Sequence, residues 1–292
     1  MTAALTAARL GCKTFVLSGD VLGGLLLSIE KVEGFPGFVE GVPGYDLCPM
    51  IQEQAVAAGA QFTGASLDGL DRQNGGWQLT TGSSQVRARA VILATGATLK
   101  QLGVPGEERL RGKGVSHCAS CDAPLVRKRT VAVVGGGVSA LQEALTLADF
   151  AERVIILQRG ADLTAQAVYR DRVASHPKIE IRLDTVVEEV LGDGKVGGVR
   201  IRSTKANASS DLEVAAIFVY IGLEPATTFV KAHMKLDQSG RIPVDAQMRT
   251  ELPGIFAAGI ARSRSVGRAV AAAGDGTIAA IAAERYLADG NR

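Results

Sequence analysis

The length, composition and charge of the chain set the class of protein to expect. Its 292 residues suffice for about two domains, and 47% of them are hydrophobic, which is ample for packed cores. A net charge of +2 and only 4% aromatic residues argue against a nucleic-acid partner. Because no run of about 18 apolar residues occurs, we expect no membrane span.

The cysteines indicate the compartment. Four of them, Cys12, Cys48, Cys118 and Cys121, are too few and too scattered for a secreted disulfide scaffold. The apolar start, Met1 to Leu10, lacks the basic n-region of a secretion signal, and Arg9 and Lys13 follow close behind. We therefore expect a cytoplasmic protein, in which Cys12 and Cys48 are buried structural thiols.

Strands and helices alternate in the first third of the chain. Hydrophobic periodicity predicts, in order, a strand over Lys13 to Ser18, a helix over Asp46 to Ala58, a β-meander of Trp77 to Thr81 and Gln85 to Arg89, and a buried strand over Ala90 to Ala94 that ends in Thr95-Gly96.

A redox-capable pair of cysteines comes next, in Cys118-Ala-Ser-Cys121-Asp122. A dithiol relay needs one thiolate that attacks a disulfide and a second thiol close enough to resolve the mixed disulfide, which this spacing provides. Half of a zinc site is the other interpretation, but no second pair of ligands follows at zinc spacing, and we predict no metal. His117 either tunes a thiolate or is a solvated side chain.

A nucleotide-binding turn follows the cysteines. The β-branched strand Thr130 to Val134 leads into Gly135-Gly-Gly137-Val-Ser-Ala140 and a helix over Leu141 to Phe150, the setting of the dinucleotide fingerprint. In that fingerprint Gly135 allows the tight turn, Gly137 lets the backbone reach a pyrophosphate, and Ala140 permits close packing of helix on strand. A disulfide reductase, with its dithiol beside a hydride carrier, is therefore predicted.

The last third repeats the strand-to-glycine pattern. A strand over Ile217 to Ile221 ends in Gly222, and a strand over Ile255 to Ala258 ends in Gly259. A helix of small residues, Val266 to Tyr286, closes the chain. Glycines in these positions are typical of places where the backbone approaches a ligand.

An internal repeat organises the whole chain. At an offset of 140 residues, Ala4-Leu5-Thr6 aligns with Ala144-Leu145-Thr146, so Met1 corresponds to Leu141. The first copy thus begins where its own first strand and glycine turn would just have finished. We expect a truncation or, alternatively, a domain that has lost its ligand, with a gap in a sheet of order 3-2-1-4-5 and weak dinucleotide binding there.

The segments in this order resemble the low-molecular-weight thioredoxin reductases, a branch of the FAD-dependent pyridine nucleotide-disulfide oxidoreductases. The match covers nearly the whole chain, and the cysteine segment is its most specific part. The shared segments are Gly23-Gly24, 32–37 (Val-Glu-Gly-Phe-Pro-Gly), 94–97 (Ala-Thr-Gly-Ala), 114–122 (Gly-Val-Ser-His-Cys-Ala-Ser-Cys-Asp), 135–140 and 253–259 (Pro-Gly-Ile-Phe-Ala-Ala-Gly).

The resemblance implies a fold and a reaction. The fold is α/β, with two Rossmann-like three-layer nucleotide-binding domains: residues 1–98 and 225–292 bind FAD, in a domain without its first strand, and the inserted residues 99–224 bind NAD(P)H and carry the dithiol. The active form is a homodimer that reduces the disulfide of a thioredoxin-like protein through Cys118 and Cys121, with Asp122 as acid/base. The implied FAD residues are Ser18, Gly23, Gly24, Thr95, Gly96, Gly259, Arg268 and Ala269.

Several positions depart from the family pattern. Arg159 favours NADPH over NADH, but the family's His-Arg-Arg run is Gln158-Arg159-Gly160 here, and its later arginine is Thr164. On the flavin side Leu25 and Ile260 replace a glutamine and an aspartate. Two alternatives stay open: a flavin dithiol oxidase or a reductase fed by another electron donor, and a decayed, non-catalytic nucleotide-binding homologue.

Overall fold

A computed structural model describes residues 1–82 and 84–290. The chain divides into two compact units, residues 1–98 with 224–292 and residues 99–223. The first stretch of the first unit contains α1 (Thr2–Arg9), β1 (Phe15–Leu17), α2 (Gly44–Ala57), β2 (Gln61–Thr63), β3 (Gly69–Gln73), β4 (Gly76–Thr81), β5 (Ser84–Ala88), β6 (Val91–Leu93) and β7 (Ala97–Leu99).

The second unit follows β7. It contains β8 (Val115–Ser116), α3 (Ala119–Asp122), β9 (Thr130–Val134), α4 (Val138–Ala148), β10 (Arg153–Leu157), α5 (Ala167–Ala174), β11 (Ile179–Arg182), β12 (Thr185–Leu191), β13 (Gly198–Ser203), β14 (Ala208–Glu213) and β15 (Ala216–Val219). The short strand β16 (Leu223–Pro225) begins at the last residue of this unit and continues into the first unit. The predicted strand over Thr130 to Val134 is confirmed. The helix after the glycine turn spans Val138–Ala148, so it begins three residues before the predicted Leu141 and ends two residues before the predicted Phe150.

The second unit has three layers. Its central sheet is parallel, in the order β11-β10-β9-β15-β8. Alternate residues of β9 face opposite sides: Val131 and Val133 pack with α4, whereas Ala132 and Val134 pack against the antiparallel sheet β12-β13-β14. Both faces are therefore covered, which explains why β9 reads as a continuous apolar run.

The first unit resumes with β17 (Ile255–Ala257) and α6 (Ala269–Ala288). Its parallel strands form two separate pairs, β1 with β2 and β6 with β17. No described strand joins the two pairs. The α/β fold class predicted from the sequence is confirmed.

Some elements of the first unit differ from the prediction. The meander has a third strand, β3, which its sequence, with Leu70 as the only buried residue of the strand, does not signal. Cys48 is buried as expected, but Cys12 is only half-buried, so its prediction as a buried thiol is wrong.

Gly276 of α6 lets α1 come close, since an added Cβ would lie 3.0 Å from Ala3 N. In residues 1–82 and 84–290 we find no helix with the length and hydropathy to cross a bilayer.

Candidate active site

The two central cysteines form a disulfide in the second unit. Their Cα atoms lie 5.3 Å apart, and Cys118 caps the short helix α3, which contains Cys121. Cys121 is exposed, whereas Cys118 is half-buried. Of the two cysteines, Cys121 is therefore the more accessible to solvent and Cys118 the more shielded.

Two donors point at the sulfur of Cys118. The Cys121 amide lies 3.3 Å from Cys118 Sγ, and the Ser120 hydroxyl lies 3.4 Å from it. The backbone of Cys118 is held as well, since its amide donates to Ser116 Oγ at 3.1 Å. This segment, residues 116–122, is called the redox turn below.

Tyr220 holds the backbone of the redox turn through a hydrogen bond to Ala119. Its hydroxyl accepts the Ala119 amide at 2.9 Å, and both residues are buried. Burial raises the pKa of Tyr220 far above its usual value, and the nearby Glu143 carboxylate raises it further. The phenol is therefore neutral across the physiological range. Sequence reasoning missed this residue, because a tyrosine at the end of a strand carries no distinctive pattern.

The redox turn packs on the helix that follows the glycine turn. Ala119 and Ala123 share a buried cluster with Ala140, Leu141 and Ala144 of α4. Small side chains on both sides let the two helices approach closely. As a result, the disulfide and the nucleotide turn belong to one packed assembly within the second unit.

Asp122 and His117 flank the disulfide. Asp122 is half-buried, and its amide donates to Cys118 O at 3.2 Å. Burial lowers the pKa of His117, although Glu107 opposes the shift, and His117 Nε2 is buried without a hydrogen-bond partner among the described residues. His117 as a whole is half-buried, so its side chain is only partly solvated.

The glycine turn has the geometry that a dinucleotide requires. Gly135 has φ +130°, its amide donates to Leu157 O at 2.9 Å, and a Cβ there would overlap Tyr220 O. Gly137 caps α4, and a Cβ added to it would meet nothing nearer than the Thr164 hydroxyl at 3.9 Å. Ala140 is fully buried. The residues fit a pyrophosphate at the N-terminus of α4, because the backbone there is open to a ligand.

Residues beyond β10 shape the other side of this turn. The Gln158 carboxamide covers Gly136 and donates to Asp162 O at 2.9 Å. Thr164 closes the loop by donating its amide to Gly136 O at 2.8 Å. Arg159 is exposed. Of the family's basic run, therefore, only Arg159 offers a charge at this edge.

In the first unit, three of the predicted FAD residues meet at one strand edge. Thr95 and Gly96 follow β6, and Gly259 follows β17, which pairs with β6 in parallel. The carboxyl ends of parallel strands are where α/β sheets take their ligands, so these residues fit a nucleotide cofactor. Ser18 follows β1 in the other strand pair, and its hydroxyl donates to Thr63 O at 2.9 Å.

The remaining predicted FAD residues occupy two other places. Gly23 and Gly24 both have positive φ, and a Cβ on Gly23 would come within 2.8 Å of Cys48 Sγ. Arg268 is exposed and caps α6, of which Ala269 is the first residue. Packing against Cys48 thus accounts for the glycine at position 23, whereas Arg268 is open to a ligand.

Comparison with known proteins gives the family. Residues 1–276 match the family described as pyridine nucleotide-disulphide oxidoreductase. The chain belongs to this family. It is 39% identical to a thioredoxin reductase from Mycolicibacterium smegmatis, over 99% of this chain and 93% of that protein, and 36% identical to one from Treponema pallidum, over 98% and 93%.

Solved structures agree with the sequence comparison. A thioredoxin reductase from Lactococcus lactis is similar with a TM-score of 0.96 and 33% identity, covering 99% of this chain and 95% of that one. A thioredoxin reductase from T. acidophilum gives a TM-score of 0.92 and 31% identity, covering 98% and 94%. The two-domain fold of these proteins is thus the fold of this chain.

The first unit also contains a buried aspartate, Asp275, whose structural role was not predicted from the sequence. Asp275 is buried on α6, and its Oδ2 accepts both the Gly259 amide at 3.1 Å and Arg262 Nε at 2.8 Å. Its Oδ1 accepts Arg262 Nη2 at 2.8 Å. The carboxylate fixes the turn after β17 and leaves Ile260 to pack towards Gly267. A single aspartate in a small-residue helix gave no signal of this role.

Proposed function

We propose that this protein reduces the disulfide of thioredoxin or of a similar small redox protein, with NAD(P)H as reductant. The overall reaction converts NAD(P)H, a proton and the partner disulfide into NAD(P)⁺ and the partner dithiol. The observation that carries the proposal is the Cys118–Cys121 disulfide, with Cys121 exposed, in the same unit as the glycine turn.

The cofactors are assigned to the two units. The backbone at Gly135 and Gly137, the packing of Ala140 and the charge of Arg159 serve the nicotinamide nucleotide, and Arg159 favours NADPH. FAD belongs to the first unit, where it supplies the chemistry of accepting a hydride and passing on an electron pair. The residues that would hold it are Ser18, Gly23, Gly24, Thr95, Gly96, Gly259, Arg268 and Ala269.

The protein's own dithiol carries out the exchange with the partner. Once Cys118 and Cys121 are reduced, one of them as a thiolate forms a bond to a partner sulfur while the partner's S–S bond breaks. The second cysteine then displaces the first partner sulfur, and the Cys118–Cys121 disulfide forms again. Asp122 lies next to the pair and would give or take the proton of the leaving thiol.

The assembly and the location complete the proposal. By analogy with the family, the active form is a homodimer with one FAD per subunit. The chain's sparse cysteines favour a reducing compartment, and we place the protein in the cytoplasm.

Turnover of a thioredoxin disulfide with NADPH and FAD tests the function. Cys118→Ser and Cys121→Ser should each reduce turnover by at least about 10³-fold, because neither can complete the exchange. Cys12→Ser, outside the site, is the matched control and should keep the activity. Absence of turnover in the unsubstituted protein would refute the proposal.

The bleaching of flavin separates the electron donors. NADPH added alone should bleach bound flavin in the unsubstituted protein and in both cysteine variants, since the dithiol acts after hydride transfer. If NADPH and NADH both failed while chemically reduced protein still reduced thioredoxin, a different donor would be indicated. A colourless protein with added FAD would favour the non-catalytic alternative.

A further inference from the structure

We propose that Ser120 is a positioning residue that stabilises the thiolate of Cys118 rather than that of Cys121. The inference rests on the proposed dithiol function and adds a residue to it. The observation behind it is that two donors converge on Cys118 Sγ. The Ser120 hydroxyl lies 3.4 Å from this sulfur, and the Cys121 amide lies 3.3 Å from it.

The direction of the hydroxyl contact follows from the chemistry of sulfur. A sulfur in a disulfide bond carries no proton, so Cys118 Sγ can only accept, and Ser120 must donate. The amide of Cys121 can likewise only donate. Both contacts therefore already have the polarity that a negatively charged sulfur at position 118 requires.

The turn keeps these donors in place after reduction. When the disulfide opens, the backbone is still held by the Ala119 amide on Tyr220, the Cys118 amide on Ser116 and the Asp122 amide on Cys118 O. Hydrogen bonds to an ionised acceptor are roughly twice as strong as neutral ones. Ser120 thus favours the ionised form of Cys118 over the neutral thiol.

The charged groups around the turn do not replace this contact. Asp122 lies on α3 itself, Glu143 lies on α4, which packs against α3, and both are carboxylic acids that oppose a second negative charge nearby. His117 precedes the turn and is kept neutral by burial, which lowers its pKa. Tyr220 is neutral and accepts from the backbone. Local hydroxyl and amide donors are therefore the source of stabilisation.

The step that benefits is the attack on a disulfide. The Cys118 thiol loses one proton to solvent, and the electron pair left on Sγ forms the bond to a partner sulfur. The partner's S–S bond breaks, and its other sulfur leaves with that bond's electron pair. A larger thiolate fraction at neutral pH makes this attack faster, within the limit set by the lower nucleophilicity of a weaker base.

Alkylation of single thiols tests the inference without coenzyme or partner. In a Cys121→Ser background, the rate of Cys118 alkylation by iodoacetamide is followed against pH, and peptide mass spectrometry identifies the modified residue. Ser120→Ala should raise the midpoint by about one pH unit, equivalent to about tenfold slower alkylation below the midpoint. Ser120→Thr, which keeps the hydroxyl, should restore it.

A matched background supplies the control. With Cys118→Ser, where Cys121 is titrated, Ser120→Ala should leave the midpoint unchanged. An unchanged Cys118 midpoint, or an equal shift of Cys121, would overturn the inference. Ser120→Gly also removes the hydroxyl and replaces Ser120→Ala should that variant fail to fold. Because turnover of thioredoxin is measured separately, failure here is distinguishable from failure of the proposed function.

Discussion

Individual hydroxyl groups decide the geometry of the redox turn. Ser116 accepts the Cys118 amide, Tyr220 accepts the Ala119 amide, and Ser120 lies against Cys118 Sγ. Each compensates a backbone or sulfur group that a four-residue helix leaves without an intrahelical partner. The chemistry of the two cysteines therefore depends on residues outside the Cys-x-x-Cys pattern.

Tyr220→Phe removes one of these partners. The Ala119 amide, fully buried, would lose its acceptor, at a cost of about 1–3 kcal/mol. We expect a lower thermal midpoint, by about 2–4 °C for each kcal/mol. Tyr45→Phe, at an exposed position, is the control and should unfold like the unsubstituted protein. Equal midpoints for all three proteins would contradict the assigned role.

Gly137→Ala separates ligand binding from folding. Position 137 has φ −86°, which alanine adopts without strain, and the added methyl would point into space that only Thr164 Oγ1 approaches, at 3.9 Å. We expect an unchanged thermal midpoint but NADPH binding weakened at least about tenfold, because the methyl blocks the backbone from the pyrophosphate.

Equilibrium titration with NADPH measures the effect. The matched control is Gly197→Ala in the same unit, where the new Cβ would meet only Gly192 Cα at 4.0 Å. Unchanged affinity in Gly137→Ala would show that the pyrophosphate does not lie at this turn.

At the scale of elements, hydrogen bonds within and between loops stabilise the first unit, whose parallel strands are only three residues long. Asp237 accepts the amides of Ser239 and Arg241 and the hydroxyl of Ser263. The Ile242 amide donates to Ala261 O at 2.9 Å, next to the turn that Asp275 holds. The loop around Asp237 thus helps to hold residues 261–263, which follow β17, in position.

Acid should weaken the stabilisation that the Asp237 carboxylate gives to this loop. Partial burial opposes ionisation of Asp237, but hydrogen bonds from Ser263, Arg241 and Ser239 outweigh it and lower its pKa to about 2. In the unfolded chain the value is about 3.9. The stabilisation is therefore complete above about pH 4 and is lost as the pH falls to about 2.

Thermal midpoints between pH 5 and pH 2 check this expectation. Asp237→Asn should have a lower midpoint at pH 5, and its difference from the unsubstituted protein should shrink towards pH 2. The exposed Asp289→Asn is the control. A difference that stayed constant with pH would contradict the assigned pKa.

At the scale of the whole molecule, each unit has its own core. The two clusters around β9, β10 and β15 lie entirely within residues 99–223. The clusters around Trp77, Phe256 and Leu47 lie in the other unit. Only the second unit is a continuous stretch of chain.

Residues 99–223 alone should therefore fold. We expect a cooperative thermal transition and two additional titratable thiols, those of Cys118 and Cys121, after reduction of the native fragment. The Cys118→Ser, Cys121→Ser fragment is the control and should fold but show no such increase. A fragment without a cooperative transition would contradict the independence of this core.

The local sequence determined the regular parts of this protein. The strand Thr130–Val134 and the glycine turn after it follow from patterns only a few residues long, because backbone conformation there depends on nearest neighbours. The Cys118–Cys121 pairing likewise follows from a two-residue spacing. The polar strand Gly69–Gln73 did not follow, since pairing with β4 rather than its own composition makes it a strand.

Only the tertiary structure decided which distant groups meet. Tyr220 reaches Ala119 across 101 positions, and Asp275 reaches Gly259 across 16. Such contacts depend on how strands and helices stack, and a lone tyrosine or aspartate has no periodicity that reveals its partner. The cysteine and glycine motifs were therefore enough to predict the redox and nucleotide sites from the sequence. The residues that support these motifs are determined by tertiary packing.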